Sequence, residues 1–240
     1  MPRAIVRPPS NAYANCIREA AAGPIDVGLA VAQHAGYVAA LRACGLDVIS
    51  LPPEPAMPDA CFVEDTCVIV DGRAIMTRPG APARRDETAS VERALPIPAA
   101  RMERGTLDGG DVIVTPRMIF AGRSTRTNEE GVAELARLAL REVRAITITG
   151  LLHLKTGATW LGGDLIVARR GRFSLPGFEF LEVDEPRGST VLAHGRHAVV
   201  SAAAPRTADL LASRGFEVHA IDISQFHLGD AGVTCLSVIL

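Results

Sequence analysis

One short pattern recurs along the chain and constrains its fold more than any other feature of the sequence. In the clearest copy, residues 107–111 (Leu-Asp-Gly-Gly-Asp) form a turn-like stretch, followed by an apolar run of strand type, a turn and a second apolar run. Related copies begin near Phe62, Gly162, Ser189 and Gly232. Their spacing of roughly 45 residues is typical of propellers and repeat arrays. Five such units account for the chain, so we expect an α/β fold of five similar units.

Length and charge narrow the class of protein. A chain of 240 residues could fold as one large domain or two small ones. No linker or low-complexity segment divides it, so we expect a single domain over residues 1–240. The formal net charge is −2, whereas binding to nucleic acid or to an anionic membrane surface calls for a basic stripe. We therefore expect neither nucleic acid nor a membrane as a partner.

The composition favours a cytoplasmic protein. No apolar run approaches the ~20 residues of a membrane span, and the N-terminal residues lack the apolar core of a secretory signal. Five cysteines are an odd number in a chain that is not exported, which argues against a disulfide framework. Four of them are expected to be small buried apolar residues: Cys16, Cys44, Cys61 and Cys67.

Capping residues predict two of the helices. Asp26 is suited to cap a helix that runs to about Ala43, and Asn128 a helix that runs to about Glu142. Residues 147–154 resemble a strand that ends beside a histidine. These elements fall in the first, third and fourth units of the repeat.

A thiol and an imidazole are the candidates for chemistry. Cys235 lies at a loop-to-strand junction that a ligand can reach. A nucleophilic thiol needs a proton acceptor or a cation nearby, and a leaving group needs a proton donor; histidine titrates in the range for both. His153 occupies the repeat position where other copies carry acids, and His227 is its only rival. Solvated or hydrogen-bonded side chains explain three others: His194, His197 and His219.

If the five units surround an axis, their acidic turns meet at one mouth. Glu64, Asp65, Asp108, His153 and Cys235 would then converge there. Several carboxylates with one imidazole and one thiol select a cationic substrate with an electrophilic carbon, because carboxylates pair with a planar guanidinium in fork geometry. The same carboxylates should raise the pKa of the thiol. We therefore expect the thiolate to form mainly once a substrate cation is bound.

Taken together, these residues resemble the signature of the dimethylarginine dimethylaminohydrolase family, within the guanidine-modifying superfamily. The resemblance runs from Ala4 to Leu240 and is specific, because six separated motifs occur in the family's order. The motifs are residues 61–65 (Cys-Phe-Val-Glu-Asp), 77–82 (Thr-Arg-Pro-Gly-Ala-Pro), 107–111 (Leu-Asp-Gly-Gly-Asp), 126–128 (Arg-Thr-Asn), 152–155 (Leu-His-Leu-Lys) and 234–237 (Thr-Cys-Leu-Ser). The resemblance implies a five-bladed α/β propeller of ββαβ-type repeats around a central pit, which forms a single catalytic domain.

The resemblance also implies a reaction. It is the hydrolysis of ω-N-methylated arginine, in its dimethyl or monomethyl form, to citrulline and dimethylamine or methylamine. Cys235 would attack the guanidinium carbon and form a covalent thiouronium-type intermediate. His153 would protonate the departing amine and then activate water. Asp108 would orient His153 and help to hold the guanidinium.

The remaining site residues follow from the same resemblance. Glu64 and Asp65 would complete the carboxylate cradle around the guanidinium. Arg84 and Arg126 would clamp the α-carboxylate of the substrate, and Asp59 would take its α-ammonium group. The implied partner is a small guanidino amino acid, with no metal and no organic cofactor. A homodimer is left open.

Parts of the chain depart from the family's pattern. The fourth unit lacks its helix over residues 171–185, and the second helix, within residues 86–95, is short. The loop-rich segment 8–24 is the best candidate for a mobile lid. Its sequence is too divergent to carry substrate contacts over, and Ile17 is only a weak candidate. These departures bear on stability and packing more than on the cradle.

Other functions stay open at the level of the sequence. A deiminase that acts on free arginine or another guanidino compound would use the same Cys235, His153 and Asp108, because the cradle is blind to methyl groups. An amidinotransferase would use them too, with an amine in place of water. A ribosome anti-association factor shares the propeller fold and only binds. A fold alone does not fix a function, but pure binding would leave these three residues without a role.

Overall fold

The computed structural model describes residues 1–18, 23–173, 175 and 177–240, and these residues form five three-stranded sheets. The strands are β1 (Arg3–Val6), β2 (Asp47–Ser50), β3 (Cys67–Val70), β4 (Arg73–Met76), β5 (Ala99–Arg101), β6 (Val112–Val114), β7 (Ile119–Arg123), β8 (Val143–Thr147), β9 (Ala158–Gly162), β10 (Leu165–Arg169), β11 (Glu179–Val183), β12 (Leu192–His194), β13 (His197–Ser201), β14 (Glu217–Ile221) and β15 (Ser237–Ile239). The α-helices are α1 (Val27–Ala43), α2 (Glu87–Ala94), α3 (Glu129–Ala139), α4 (Leu154–Gly157), α5 (Pro205–Ser213) and α6 (Ser224–His227). Short 3₁₀ turns span Asn11–Asn15, Val63–Thr66, Pro82–Arg84, Gly109–Asp111 and Val233–Leu236.

Four of the sheets are each built from one continuous stretch of chain. Two strands form an antiparallel hairpin, and the third returns parallel to the middle strand; in the second sheet, Ile75 pairs with Val68 on one side and with Ala100 on the other. A parallel return needs a crossover, and α2, α3 and α5 supply it in three of these units. Between β10 and β11 the described residues contain no helix, as the sequence predicts.

The remaining sheet joins the two ends of the chain. Ile5 in β1 pairs in parallel with Ile49 of β2 and antiparallel with Val238 of β15. The strands β15, β3, β6, β9 and β12 contact one another in that order. Residues of all five strands line a central cavity of about 540 Å³. The predicted arrangement of five α/β units around a central pit is therefore confirmed.

Helix α1 fixes the position of the last turn of the chain. The buried side chains of Tyr37 and Leu41 share one apolar cluster with Phe226 and with Val233 and Leu236 of the final 3₁₀ turn. Fully burying an apolar side chain of this size is worth about 1.5–3 kcal/mol. The turn that carries the last cysteine is thereby packed against a helix from the other end of the chain.

Both predicted helix caps are present. Asp26 accepts a hydrogen bond from the backbone N–H of Leu29 at 2.9 Å, and Asn128 caps α3 in the same manner. Such caps satisfy backbone donors that the first turn of a helix leaves unpaired. Helix α3 ends at Ala139, earlier than predicted, because Leu140 adopts a left-handed backbone with φ of 55°.

The strand predicted over residues 147–154 is wrong. Strand β8 covers Val143–Thr147, and the residues after it form a loop. Exposed side chains such as Arg144 interrupt the alternation of β8, so its sequence does not read as a strand. Ile148 and Leu154 produced the misleading apolar signal, since both are buried in one cluster without strand pairing.

Within the described ranges, none of the helices combines the length and the apolar character that crossing a bilayer requires.

Candidate active site

The predicted site residues lie on short helical turns that precede the inner strands. Glu64 and Asp65 belong to the turn before β3, Asp108 caps the turn before β6, and His153 caps α4 before β9. Cys235 lies in the turn before β15. Because each turn occupies the same place in its unit, the propeller brings residues that are far apart in sequence to one end of the central pit.

Cys235 and His153 line the same cavity. Its volume is about 190 Å³, and Glu64, Lys155, Arg187 and the two candidate catalytic residues are part of its wall. The two residues therefore do not lie at opposite ends of the molecule. As predicted, a sulfur and an imidazole share one pit.

His153 is held by carboxylates on both sides of its ring. Its Nε2 lies 3.1 Å from Oδ2 of Asp108, and its Nδ1 lies 3.9 Å from Oδ1 of Asp65. Burial by itself would lower the pKa of His153, but the charges of Asp65, Asp108 and Asp111 outweigh it and raise the pKa to about 9. At neutral pH the ring is therefore an imidazolium, which can donate a proton to a leaving group.

Asp111 is a site residue that the sequence analysis did not single out. Its Oδ1 accepts the backbone N–H of Leu154 at 2.9 Å, and its Oδ2 accepts the hydroxyls of Ser124 and Thr127, each at 2.6 Å. The carboxylate is completely buried. It fixes the backbone directly after His153 and so orients the ring. The signal was present as the second acid of the Asp-Gly-Gly-Asp motif.

Gly110 is required by the close packing of the site. Its backbone N–H donates to Oδ1 of Asp65 at 2.9 Å. A Cβ atom at this position would lie 2.7 Å from Nδ1 of His153 and 2.8 Å from Oδ1 of Asp65. Only a residue without a side chain lets the backbone approach both groups.

The thiol of Cys235 is protonated in the free protein. Burial is the main cause that raises its pKa to about 12, and the carboxylates of Glu64 and Asp65 add to it. The backbone N–H of Gly232 donates to the sulfur at 3.4 Å and opposes this rise. The carboxylates therefore act on the thiol in the direction that the sequence predicts, with desolvation as the larger effect.

An ion pair forms the floor of the cavity. Nζ of Lys155 lies 2.6 Å from Oε1 of Glu64, while Oε2 of Glu64 is buried without a hydrogen-bond partner among the described residues. Both side chains also line the larger central cavity on the other side. The pair therefore separates the two cavities, and Lys155 partly offsets the effect of Glu64 on the pKa of Cys235.

A second, smaller cavity of about 30 Å³ adjoins the first and contains the other predicted residues. Arg126 lies in its wall, 4.0 Å from Oδ2 of Asp108. Asp59 accepts the backbone N–H of Ile17 at 3.1 and 3.2 Å. Of the predicted lid, residues 19–22 lie outside the described residues. The contact at Ile17 links the described part of that segment to the site.

Arg84 also lines this smaller cavity, but its donors are already engaged. Its guanidinium contacts Oδ2 of Asp65 at 2.6 Å and Oε2 of Glu87 at 2.8 Å. Burial alone would lower the pKa of Arg84, yet the two carboxylates raise it above its usual value. Arg84 is thus a permanent cation behind Asp65. Against the effect of burial, the charge of His153 and then that of Arg84 lower the pKa of the Asp65 carboxyl to about 2.

Two groups of side chains have the donor atoms of a metal site. The ligand atoms of Asp65, Asp108 and His153 lie within 4.8 Å of one another, and so do those of Cys44, His197 and His219. In the first group, Asp108 already holds the imidazolium by a hydrogen bond, and Asp65 lies 3.9 Å from its other nitrogen. The second group lies outside the cavities described above.

Comparisons with known proteins agree over the whole chain. The family model described as N,N dimethylarginine dimethylhydrolase, eukaryotic, matches residues 8–161. The N(G),N(G)-dimethylarginine dimethylaminohydrolase of Streptomyces coelicolor is 38% identical over 99% of this chain and 96% of its own length. The enzyme of that name from Pseudomonas aeruginosa is 32% identical over 98% of this chain and 97% of its own length.

A solved structure supports the same assignment. It is a Cys-to-Ser mutant of the Pseudomonas aeruginosa enzyme in complex with citrulline, and it superposes with a TM-score of 0.94 at 30% identity, covering 99% of this chain and 98% of that one. Fold and sequence therefore agree. The chain belongs to the dimethylarginine dimethylaminohydrolase family.

Proposed function

We propose that this protein is a cysteine-dependent hydrolase that converts ω-N-methylated arginine to citrulline and the corresponding methylamine or dimethylamine. One observation carries the proposal: in a chain of this family, Cys235 and His153 line one cavity, and Asp108 holds the imidazole. A binding propeller would have no use for a buried imidazolium beside a thiol. The assignment of roles to individual residues is our inference from the geometry.

The guanidinium of the substrate binds between the carboxylates of Glu64, Asp65 and Asp108. The unpartnered Oε2 of Glu64 supports this role, since a buried carboxylate oxygen without a donor is costly. A planar cation with several N–H groups would supply that donor. Its charge would also lower the pKa of Cys235, so the thiol would lose its proton to solvent when substrate binds.

The amino-acid end of the substrate binds in the smaller cavity. Arg126 is the better placed of the two predicted carboxylate clamps, because among the described residues its guanidinium pairs only with Asp108, at 4.0 Å. Arg84 supports it at longer range and chiefly fixes Asp65. Asp59 takes the α-ammonium group once the N–H of Ile17 gives way to it.

Catalysis then runs in two halves. The thiolate of Cys235 attacks the guanidinium carbon, and the imidazolium of His153 protonates the dimethylamine as its bond to carbon breaks. This leaves a thiouronium intermediate and a neutral imidazole. His153 next removes a proton from water, the water oxygen adds to the same carbon, and the carbon–sulfur bond breaks. The proton left on the citrulline oxygen passes to the departing thiolate, which restores the thiol of Cys235 as citrulline is released. The sum is one water consumed per amine released.

The test is citrulline production from asymmetric dimethylarginine and from arginine by wild type, Cys235→Ser and a control variant, Cys67→Ala. From dimethylarginine, wild type and the control should each form one dimethylamine per citrulline, at similar rates. The rate of citrulline formation by Cys235→Ser should be lower by at least about 10³-fold. Citrulline from arginine alone would replace the proposal with a deiminase. No citrulline from either substrate would defeat it.

We further propose that residues 1–240 act as a single catalytic domain in the cytoplasm. The site draws residues from four units of the propeller, including the sheet that both ends of the chain share, so no smaller part would hold it. All five cysteines are free, which fits a reducing compartment. Fractionation of cells that express the tagged protein tests the location.

A further inference from the structure

Four potential metal ligands meet on the outside of the propeller, away from the cavities of the active site. Cys44 caps the C-terminal end of α1, and His197 begins β13. Glu217 and His219 lie two residues apart on β14, so their side chains share one face of the sheet. Strand pairing sets His197 directly beside Glu217. The cluster therefore gathers a thiol, two imidazoles and a carboxylate from three elements.

The distances fit a tetrahedral ion. Nδ1 of His197 lies 3.3 Å from Nε2 of His219, and the carboxylate oxygens of Glu217 lie 3.5 and 3.9 Å from these two nitrogens. One ligand atom from each of Cys44, His197 and His219 lies within 4.8 Å of the other two. Metal–ligand bonds of about 2.0–2.3 Å in a tetrahedron place the donor atoms roughly 3.3–3.6 Å apart. The two imidazole nitrogens, and the Glu217 oxygen nearest His197, are already at that spacing.

We propose that Cys44, His197, Glu217 and His219 form a binding site for Zn²⁺. The ligand set selects the metal, because thiolate and imidazole are preferred by zinc, whereas calcium and magnesium require oxygen ligands. A hydrogen bond between the two imidazoles would account for their separation, but not for a cysteine and a carboxylate around the same point. Cys44 is buried in the apolar cluster beside α1, as the sequence predicts, and the proposal adds a ligand role to it.

The exposure of the cluster suits a site loaded from solvent. Cys44 is buried, while the side chain of Glu217 is 67% exposed and leaves an entry path. Zinc binding would displace the thiol proton of Cys44 to solvent and form a Zn–S bond.

The ion would connect the first and last units of the propeller. Helix α1 belongs to the unit that the N-terminal strand begins, and β13 and β14 belong to the fifth unit. Helix α1 already packs against β14. A zinc ion bound across this junction would tie the ring where the chain closes on itself. Its role would be structural, because all four coordination positions are filled by the protein.

The test uses metal-free Cys235→Ser protein as the parent, because this substitution removes the catalytic thiol as a competing ligand. Isothermal titration with Zn²⁺ should give one equivalent bound. The melting temperature should rise by roughly 5–10 °C at free Zn²⁺ about 100-fold above Kd. Co²⁺ in place of Zn²⁺ should show the charge-transfer absorption of a thiolate ligand.

Variants in the same parent identify the site. Cys44→Ser and His219→Gln should each weaken zinc binding by at least about 100-fold, whereas the matched substitutions Cys67→Ala and His194→Gln should leave it unchanged. Glu217→Gln alters an exposed side chain, so it should weaken binding without lowering the melting temperature measured in chelator. The proposal is overturned if the parent binds no zinc, or if binding survives all three cluster substitutions.

Discussion

Oδ2 of Asp108 lies 3.1 Å from Nε2 of His153, and both side chains are almost completely shielded from solvent. The other oxygen of Asp108 accepts the backbone N–H of Gly80 at 2.8 Å. The carboxylate is thus fixed by the main chain on one side and faces the imidazole with the other. Nε2 of His153 therefore faces Asp108, and Nδ1 faces Asp65.

Asp108→Asn should impair both the acidity and the orientation of His153. The amide oxygen can still accept from Gly80, which turns the NH₂ group toward Nε2 and favours a neutral ring. Charged hydrogen bonds are worth about 1.5–3 kcal/mol, so kcat/KM should fall by roughly 10–100-fold. An NMR titration should show a lower pKa for His153. Asp71→Asn, at an exposed side chain, is the control; an unshifted titration of His153 would contradict this account.

The pKa of His153 predicts a specific loss of stability with rising pH. Its folded-state pKa of about 9 is raised above the ordinary value of 6.5. The folded protein therefore binds the proton more tightly, and the resulting stability is fully present below pH 6.5 and lost as the pH rises through 9. The contribution is about 3 kcal/mol at most.

This loss can be measured as a difference between two proteins. The free energies of unfolding of wild type and His153→Gln, from urea titrations between pH 6 and 10, should converge as the pH rises. Taking the difference removes the effect of other titrating groups. A gap that stays constant over this range would show that His153 is neutral in the folded protein.

The state of the thiol predicts a ligand-dependent reactivity. Because the pKa of Cys235 is raised to about 12, iodoacetamide should modify it slowly near neutral pH and faster by about tenfold per pH unit. A bound guanidinium cation should shift this profile to lower pH. The modified peptide is quantified by mass spectrometry with and without N-methylguanidine, and Cys67 serves as the internal buried control. Identical pH profiles would defeat the idea that the thiolate forms with substrate.

Local patterns explain why much of the fold could be predicted. The repeat of an acidic turn and two apolar runs recurs in each unit because each unit needs the same inner hairpin. Helix caps such as Asp26 act within one turn of helix, so they can be recognised from the sequence. Strand β8 was not predicted because it lies at the outer edge of its sheet, where exposed residues such as Arg144 and Ala145 replace the alternation that marks a half-buried strand.

The site could be predicted only in part, because its members come from separate units. Cys235 and His153 stand out by residue type and by their place in the repeat. The role of Asp111 depends on which backbone N–H groups surround it, and no pattern in the chain specifies that. The cluster at Cys44 depends on how α1 packs against β14, a contact between residues more than 150 positions apart.

Gly110→Ala should displace the side chains of His153 and Asp65, which lie closest to this position. The added methyl group would lie 2.7 Å from Nδ1 of His153, so the ring must move. Displacements of about 1 Å in a catalytic group can cost roughly 10²-fold in rate, and we expect that loss in kcat. Gly36→Ala is the matched control, because nothing lies within 4 Å of its Cβ position in α1. It should keep full activity and gain about 0.5–1 kcal/mol of stability.

Because Glu64 and Lys155 form an ion pair, we expect substitutions at these two residues to have non-additive effects on the free energy of unfolding. Lys155→Met removes the cation 2.6 Å from Oε1 of Glu64 and leaves a buried carboxylate to which none of the described residues donates on either oxygen. We expect a loss of about 2–4 kcal/mol in the free energy of unfolding. Adding Glu64→Gln removes the uncompensated charge, so the double variant should be more stable than Lys155→Met alone.

Catalytic activity should rank the two variants in the opposite order, with Lys155→Met more active than the double variant. Lys155→Met raises the pKa of Cys235 further but keeps the carboxylate that we assign to the guanidinium, so substrate should still bind. The double variant lacks that carboxylate, and its KM for dimethylarginine should rise by at least about tenfold over that of Lys155→Met. Urea unfolding and steady-state kinetics on the four proteins of the cycle give both quantities. Additive losses of stability would mean that the two side chains do not interact, and an unchanged KM would remove Glu64 from the substrate cradle.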